Sequence, residues 1–430
     1  MRFRAFDVAA ATGGRLVGPD VLLDGVSFDS RTTLPGQLFV PLVAERDGHA
    51  FIEAALEHGA GAYLTSTGAR GGTAVEVADT LQALMALATA MRARVEVPVV
   101  GITGSVGKTS TKDLARAALS ASLRTWANER SFNNEQGLPT TLLTTPEGTE
   151  VLVLEMGMRG LGEIAALCHI ARPTIGVVTR VAEAHSDRVG GIDGVAKAKA
   201  ELVQALPGNG VAILNADDGR VRAMRSLTDA RVVLFGESAD ADVRAVDVRL
   251  DELARASFRV ISPWGEVPVR LAISGRHMVA NAAAALAVTG TVGADVAAGA
   301  AALAEAGLSA MRMEVVRASN GATVLNDAYN ANPTSMRAAL DALAALPATR
   351  RVAVLGVMAE ISDAAEAHMA IAEHARALGI ELVAVGTDLY GIVPTDDPVG
   401  ALGSLSGGDA VLVKGSRVVG LERVVAQLLL

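Results

Sequence analysis

The chain has 430 residues, half of them apolar but only 3% aromatic, with 20% charged and a formal net charge of −9. That length exceeds one ordinary core and points to roughly two to four domains. The acidic balance, with no Lys/Arg cluster, argues against a nucleic-acid partner.

The N-terminal run "MRFRAFDVAAATGGRLVG" lacks the long apolar core of a secretion signal and carries Asp7 inside it. Over the first ~95 residues short strands alternate with helices. "GVSFDSRTTLPGQLFVPLV" from Gly25 reads as strands around a turn, "AFIEAALEHGA" from Ala50 as a helix stopped by glycine, and "AYLTS" from Ala62 as a strand. The Leu, Met and Ala spacing in "TLQALMALATAMRARV" from Thr80 predicts a helix.

A second unit opens at "VPVVGITG", a β-branched strand running into a glycine turn. Buried strands follow at "EVLVLEMG", "TIGVVTRV" and "GVAILNADD", with helical patterns between them, which predicts a parallel sheet covered on both faces. The Ala/Gly-rich stretch from Met278 is interrupted by Asn281 and Asp295, so a buried pair of soluble helices is expected rather than a membrane span. Cys168 is the one cysteine, so no intrachain disulfide is available and a reducing, cytoplasmic setting is expected.

A boundary is expected near Gly307–Met311. Beyond it the alternation restarts with "ATVLNDAYN", a helix from Pro333, "RVAVLG", a helix near 363–377, "ELVAVG", "DAVLVKGSR" and a closing helix. The expected architecture is α/β with three domains: a small α/β domain over 1–97, a central phosphate-loop domain with a mostly parallel sheet over 98–308, and a Rossmann-like domain over 309–430.

The chemistry starts at "TGSVGKTS". The full G-x-x-x-x-G-K-[ST] pattern is not met, because Ile102 stands where its first glycine belongs. The shorter pattern keeps its physics. Gly104 and Gly107 allow a tight turn in which the backbone N–H groups of Gly104, Ser105, Val106, Gly107, Lys108, Thr109 and Ser110 can face a polyphosphate. The helix starting near Lys108 turns its positive end to the same place. Lys108 would counter the β/γ charge of ATP, and the Thr109 hydroxyl can ligate Mg²⁺. A plain glycine turn before a helix is the bland alternative.

In an α/β sheet, ligands gather at the C-terminal strand ends. Glu155 ends one strand and His185 lies just beyond another. Taken singly, Glu155 reads equally well as a helix-start or ion-paired carboxylate, and His185 as a loop histidine. Lys197 and Lys199 stand two apart on one helix and therefore point to different faces.

The segments "TGSVGKTSTK", "SFNNEQGLPTTLL", "LEMGMRGLGEI", "RPTIGVVTRVAEAHSDRVGG", "VAKAKAEL", "LNADD", "SGRHMVANAAAALA", "MRMEVV", "LNDAYNANPTSM" and "VLVKGSR" follow one another over nearly the whole chain. In that order they resemble the Mur ligases, which build the peptide of bacterial cell-wall precursors. "MRMEVV" and "DAYNANP" are most similar to the branch that joins D-alanyl-D-alanine to UDP-N-acetylmuramoyl-tripeptide.

The resemblance implies a monomeric, ATP-dependent ligase working through an acyl phosphate. It implies that Thr109, Glu155, His185 and Lys199 help to hold two Mg²⁺ ions, with Lys199 carried as a carbamate. Lys108, His185 and Lys199 would be catalytic. Asn281 would meet the adenine, and Arg312 and Asp327 the phosphates and ribose. Asn133 and Asn134 would lie on the substrate side, and Ser30 and Arg31 near the uridine end. One departure is Val357, where the resemblance expects an acidic residue. Three other readings stand beside this one: a related ligase with a different amine or a polyglutamate product, a catalytically idle nucleotide-binding protein, and a simple P-loop NTPase.

Overall fold

The computed structural model describes residues 1–129, 132–183 and 189–430. By its internal packing the chain divides into two compact units. One comprises Met1–Gly101, Leu123–Gly157 and Ile164–Thr174, the other Ile102–Ser122, Met158–Glu163 and Ile175–Leu430.

In the first unit, five strands lie in the order Arg15–Val17, Ala74–Glu76, Ala62–Thr65, Leu38–Phe39, Val26–Ser27. The first pair is antiparallel and the other three pairs are parallel. Ala62–Thr65 is buried at every position, so its run "AYLT" needs no alternation. Tyr63, Phe39 and Ile52 share one core cluster there. The helix expected from Ala50 begins as a 3₁₀ turn, Gly48–Phe51, with Asp47 accepting from the His49 N–H, and continues as Ile52–Glu57. The helix Thr80–Arg92 starts where Asp79 accepts from the Gln82 N–H, an N-cap two residues before the first apolar position, Leu81. Thr125–Ala127 and Val151–Glu155 form a parallel pair in the same unit.

The second unit carries a run of strands in the order Gly265–Ser274, Arg255–Ser262, Val243–Leu250, Arg231–Gly236, Val211–Asn215, Ile175–Val178. The last four of these pair in parallel. The outer three are antiparallel, an extension the sequence reading did not foresee. Their signal is there in retrospect: Gly265–Ser274 alternates exposed and buried residues, the mark of a sheet with one wet face.

Two helices pack on this run of strands. The helix Met278–Val292 is buried on nearly every side and packs along Lys108–Ser120, an approach its alanines permit. With Val296–Ala302 it makes the soluble helix pair expected from composition. No helix among the described residues is long and apolar enough to cross a membrane.

A second sheet in this unit runs Glu314–Arg317, Thr323–Asp327, Asp409–Lys414, Arg350–Gly356, Glu381–Val385. Its first pair is antiparallel and the rest are parallel, over a core of Val324, Val352, Val354, Val411 and Val413. The motif "NANP" ends in a helix start. The Asn332 side chain accepts from the Ser335 N–H at 2.9 Å, the Ser335 hydroxyl accepts from the Asn332 N–H at 3.1 Å, and Pro333 takes the first helical position of Pro333–Ala345.

Replacing Asn332 with alanine removes that cap, and urea unfolding should show a loss of about 1 kcal/mol. An unchanged midpoint would mean that solvent satisfies the helix start equally well.

Candidate active site

The strand Val99–Thr103 delivers the chain into the turn, and the helix Lys108–Ser120 takes it away. Gly107 sits at the helix start with φ 84°, and no side chain caps that end. A helix start left uncapped by its own side chains is a natural anion seat. Gly104 has φ 150°, and a Cβ there would run into the Thr179 hydroxyl. A Cβ on Gly107 would meet the Asn281 side-chain oxygen at 2.6 Å. Both glycines are therefore required twice, by backbone angle and by close neighbours. Lys108 Nζ donates to the Gly104 carbonyl at 2.7 Å, folding the ammonium over the turn. Thr109 and Ser110 are buried in the first helical turn.

The turn is clamped by the segment that leaves Ile175–Val178. The Thr179 N–H donates to the Thr103 carbonyl at 3.0 Å, and its hydroxyl to the Val106 carbonyl at 2.6 Å. Ser105 N–H donates to the Arg180 carbonyl at 2.7 Å. The Ser105 hydroxyl donates to the Ala182 carbonyl at 2.8 Å and accepts from the Ala182 N–H at 3.0 Å. The motif "LNADD" holds this segment from behind. The Asn215 amide donates to the Thr179 carbonyl at 2.7 Å, and Asp218 accepts from the Val181 N–H at 2.9 Å. Thr179, Asn215 and Asp218 are the residues sequence reasoning missed. Their signal was available in "VVTRV" and "LNADD", two polar strand ends next to the phosphate turn.

Lys199 is 2% exposed on the helix Ile192–Gln204, whereas Lys197 is exposed. The two lysines are thus separated as the helical spacing predicts. Asn281 lies against the turn, its amide donating to Met278 Sδ at 3.4 Å.

Toward the second sheet, Arg312 stacks its guanidinium over the Tyr329 ring at 4.2 Å. Asp327 is engaged by neighbours of its own: Lys414 Nζ donates to it at 2.5 Å and the Met313 N–H at 3.1 Å. Lys414 is 2% exposed and also donates to the Asn330 carbonyl, so "VKGSR" supplies a buried ion pair. Val357 contributes its carbonyl, which accepts from the Ser416 N–H at 3.0 Å, a bond that needs no acidic side chain.

In the first unit, Glu155 is 1% exposed at the end of Val151–Glu155, and one of its oxygens accepts from the Asn133 amide at 2.6 Å. The sequence named both residues, and the fold joins them. Asn134 instead accepts from the Gly137 N–H at 3.0 Å and so starts the helix Gly137–Leu143. Ser30 is buried, its carbonyl accepting from His58 Nδ1 at 2.8 Å. Arg31 is 84% exposed and paired with Asp29 at 2.6 Å. His185 lies outside the described residues. Among the described residues no cluster of three or more His, Cys, Asp or Glu side chains could hold a metal ion. The oxygen donors that are described, the Thr109 hydroxyl and the Glu155 carboxylate, are of the hard kind that Mg²⁺ prefers.

Comparison with known proteins decides the family. Residues 102–289 match the Mur ligase middle domain, and residues 311–417 the Mur ligase, glutamate ligase domain. The chain is 44% identical to UDP-N-acetylmuramoyl-tripeptide--D-alanyl-D-alanine ligase of Mycobacterium tuberculosis over 395 residues, 84% of this chain and 77% of that protein. It belongs to the Mur ligase family. As a member it is an ATP-dependent peptide ligase. Its fold is similar to crystalline MurF from Acinetobacter baumannii, with TM-score 0.89 and 27% identity over 100% of this chain and 99% of the other. It is also similar to MurF ligase from Thermotoga maritima in complex with ADP, with TM-score 0.82 and 28% identity over 94% and 97%. Those MurF structures have the three-domain α/β architecture expected from the sequence.

His277 precedes the helix that presses on Gly107. Burial, with Lys414 and Arg180 adding to it and Asp327 opposing, pushes the imidazole down to about 4 from its ordinary 6.5. A neutral histidine suits a helix start. Because the folded value lies below the unfolded one, stability should fall as pH drops from about 6.5 toward 4. His277→Gln should flatten that part of the stability profile, read by thermal melting across pH. An equally steep slope in the variant would assign it to other groups.

Proposed function

We propose that the chain joins D-alanyl-D-alanine to UDP-N-acetylmuramoyl-tripeptide in the cytoplasm, as a monomer, with ATP and Mg²⁺. The observation that carries this reading is the uncapped Lys108–Ser120 helix start, held under Thr179 and Asn281, in a chain 44% identical to a ligase named for that reaction.

A carboxylate at neutral pH does not react with an amine until one of its oxygens becomes a leaving group. In the proposed reaction the tripeptide carboxylate oxygen attacks the γ-phosphorus of ATP, the bond from phosphorus to the β-bridging oxygen breaks, and ADP departs. The dipeptide amine then attacks the acyl carbon, inorganic phosphate leaves with the former carboxylate oxygen, and the amine loses its proton. Lys108, whose ammonium donates to the Gly104 carbonyl of the turn, opposes the charge of the transferring group. Mg²⁺, when bound, supplies further charge neutralisation at the phosphates. Thr109, Glu155, His185 and Lys199 are its proposed holders, with a carbamate on Lys199 turning a cation into an oxygen donor.

Asn281 is proposed for adenine, a role supported by its place against Gly107. Arg312 and Asp327 are proposed for the phosphates and ribose, Asn133 and Asn134 for the substrate side, and Ser30 and Arg31 for the uridine end. The division into 1–97, 98–308 and 309–430 is proposed with them. In its favour, the two family matches fall inside the second and third blocks.

Phosphate release should require UDP-N-acetylmuramoyl-tripeptide and D-alanyl-D-alanine together, with the pentapeptide mass appearing. Release with another amine would move the substrate, and release without any acceptor would favour a simple NTPase. Lys108→Ala should lower kcat by about 10²–10³-fold. Chelation by EDTA should stop turnover, and added Mg²⁺ should restore it. Carbon-13 bicarbonate should give a carbamate resonance that is absent from Lys199→Ala.

A further inference from the structure

The clamp on the phosphate turn fixes the backbone on both sides of Arg180 and leaves its side chain unexplained. Thr179 is bonded to Thr103 and Val106, the Arg180 carbonyl to Ser105, Val181 to Asp218 and Ala182 to Ser105. The Arg180 N–H nitrogen lies 3.1 Å from the place a Cβ on Gly104 would take, so this residue belongs to the wall of the turn itself. It stands at the C-terminal end of the parallel strand Ile175–Val178, the side of an α/β sheet where ligands bind.

Several arginines elsewhere in the chain have carboxylate partners, Arg4 with Asp20, Arg15 with Glu76, Arg276 with Glu237 and Arg350 with Glu381, and others such as Arg92 and Arg351 donate to backbone carbonyls. The Arg180 side chain is partly buried, and among the described residues no carboxylate or carbonyl accepts from its guanidinium. Its charge is also felt by His277, which precedes the helix carrying Asn281. A cation whose backbone lies in the wall of a polyphosphate seat, and whose guanidinium has no carboxylate partner among the described residues, has a clear complement in the nucleotide. Guanidinium presents a planar fork of donors that fits phosphoryl oxygens, and it keeps its charge at any working pH.

We propose that Arg180 is a second catalytic cation of this site, touching the γ-phosphoryl oxygens of ATP as that group passes to the substrate carboxylate. The proposal rests on the ligase reading above. Arg180 adds no bond-making step. It opposes the negative charge on the group in flight while Lys108 does so from the helix side.

The test is steady-state kinetics of wild type, Arg180→Gln and Arg180→Lys, with ATP varied against both other substrates at saturation. Arg180→Gln should lose about 10²-fold in kcat with a much smaller change in KM for ATP, and Arg180→Lys should recover part of the loss. Arg180→Ala should be partly rescued by free guanidine at non-denaturing concentration. Melting temperature and ADP binding should stay near wild type in all three. A kcat for Arg180→Gln within about threefold of wild type would overturn the proposal. So would a loss of kcat that tracks a loss of melting temperature, or one that neither lysine nor guanidine relieves, because each describes a structural residue. Wild-type turnover is measured alongside: if it does not depend on D-alanyl-D-alanine, the ligase reading fails whatever Arg180 does.

Discussion

One constraint underlies the rest: a turn of two glycines must stay open toward the ligand while being fastened from behind. The fastening is the hydrogen bonding between residues 103–106 and 179–182, with the Thr179 hydroxyl at 2.6 Å from the Val106 carbonyl. A tight turn has backbone donors to offer a phosphate only if its carbonyls are satisfied elsewhere, since an unpaired buried carbonyl costs about as much as the hydrogen bond it lacks. Thr179 takes up that duty for Thr103 and Val106, whereas Ser105 spends its own N–H and hydroxyl on the Arg180 and Ala182 carbonyls of the clamp, so its N–H faces the clamp rather than a phosphate. Asn215 and Asp218 hold the clamp from the neighbouring strand, which explains why a polar motif ends a wholly apolar strand.

The same logic runs along the helix that leaves the turn. One helical turn past Thr109, Asp113 accepts from both the N–H and the hydroxyl of Ser309, each at 2.8 Å, and pairs with buried Lys112 at 3.1 Å. Ser309 stands in the segment that leads to the second sheet of the unit. Beyond it Met311 and Met313 take positive φ values of 61° and 49°, unusual for residues with a side chain. Arg312 on Tyr329, and the Met313 N–H on Asp327, hold this segment on its other side. The phosphate helix is thereby tied by polar contacts to the segment that starts the second sheet.

Several motif residues do two jobs at different levels. Asn134 and Asn332 both start helices, although Asn134 was expected on the substrate side and Asn332 belongs to a motif that carried the family resemblance. Asn133 is different: it bonds the Glu155 carboxylate and so orients a group that the family reading places on metal. Asp327 sits in a buried pair with Lys414, so any role toward nucleotide has to share its oxygens with that ammonium. Such double duty is common where a strand end is both a packing boundary and a ligand edge.

By itself, the sequence determined the alternation of strands and helices, the glycine turn with its lysine and threonine, and the family. All of these rest on patterns within a few residues or on motif order, which chain neighbours alone express. It also separated Lys197 from Lys199 by helical spacing, and the fold buries only the second. Tertiary structure decided what spacing cannot encode. Thr179 meets Val106 across 73 positions, Asp113 meets Ser309 across 196, and Lys414 meets Asp327 across 87. The antiparallel strands at residues 243–274 likewise depend on which face of a sheet stays wet, a property of the assembled layer rather than of any one strand.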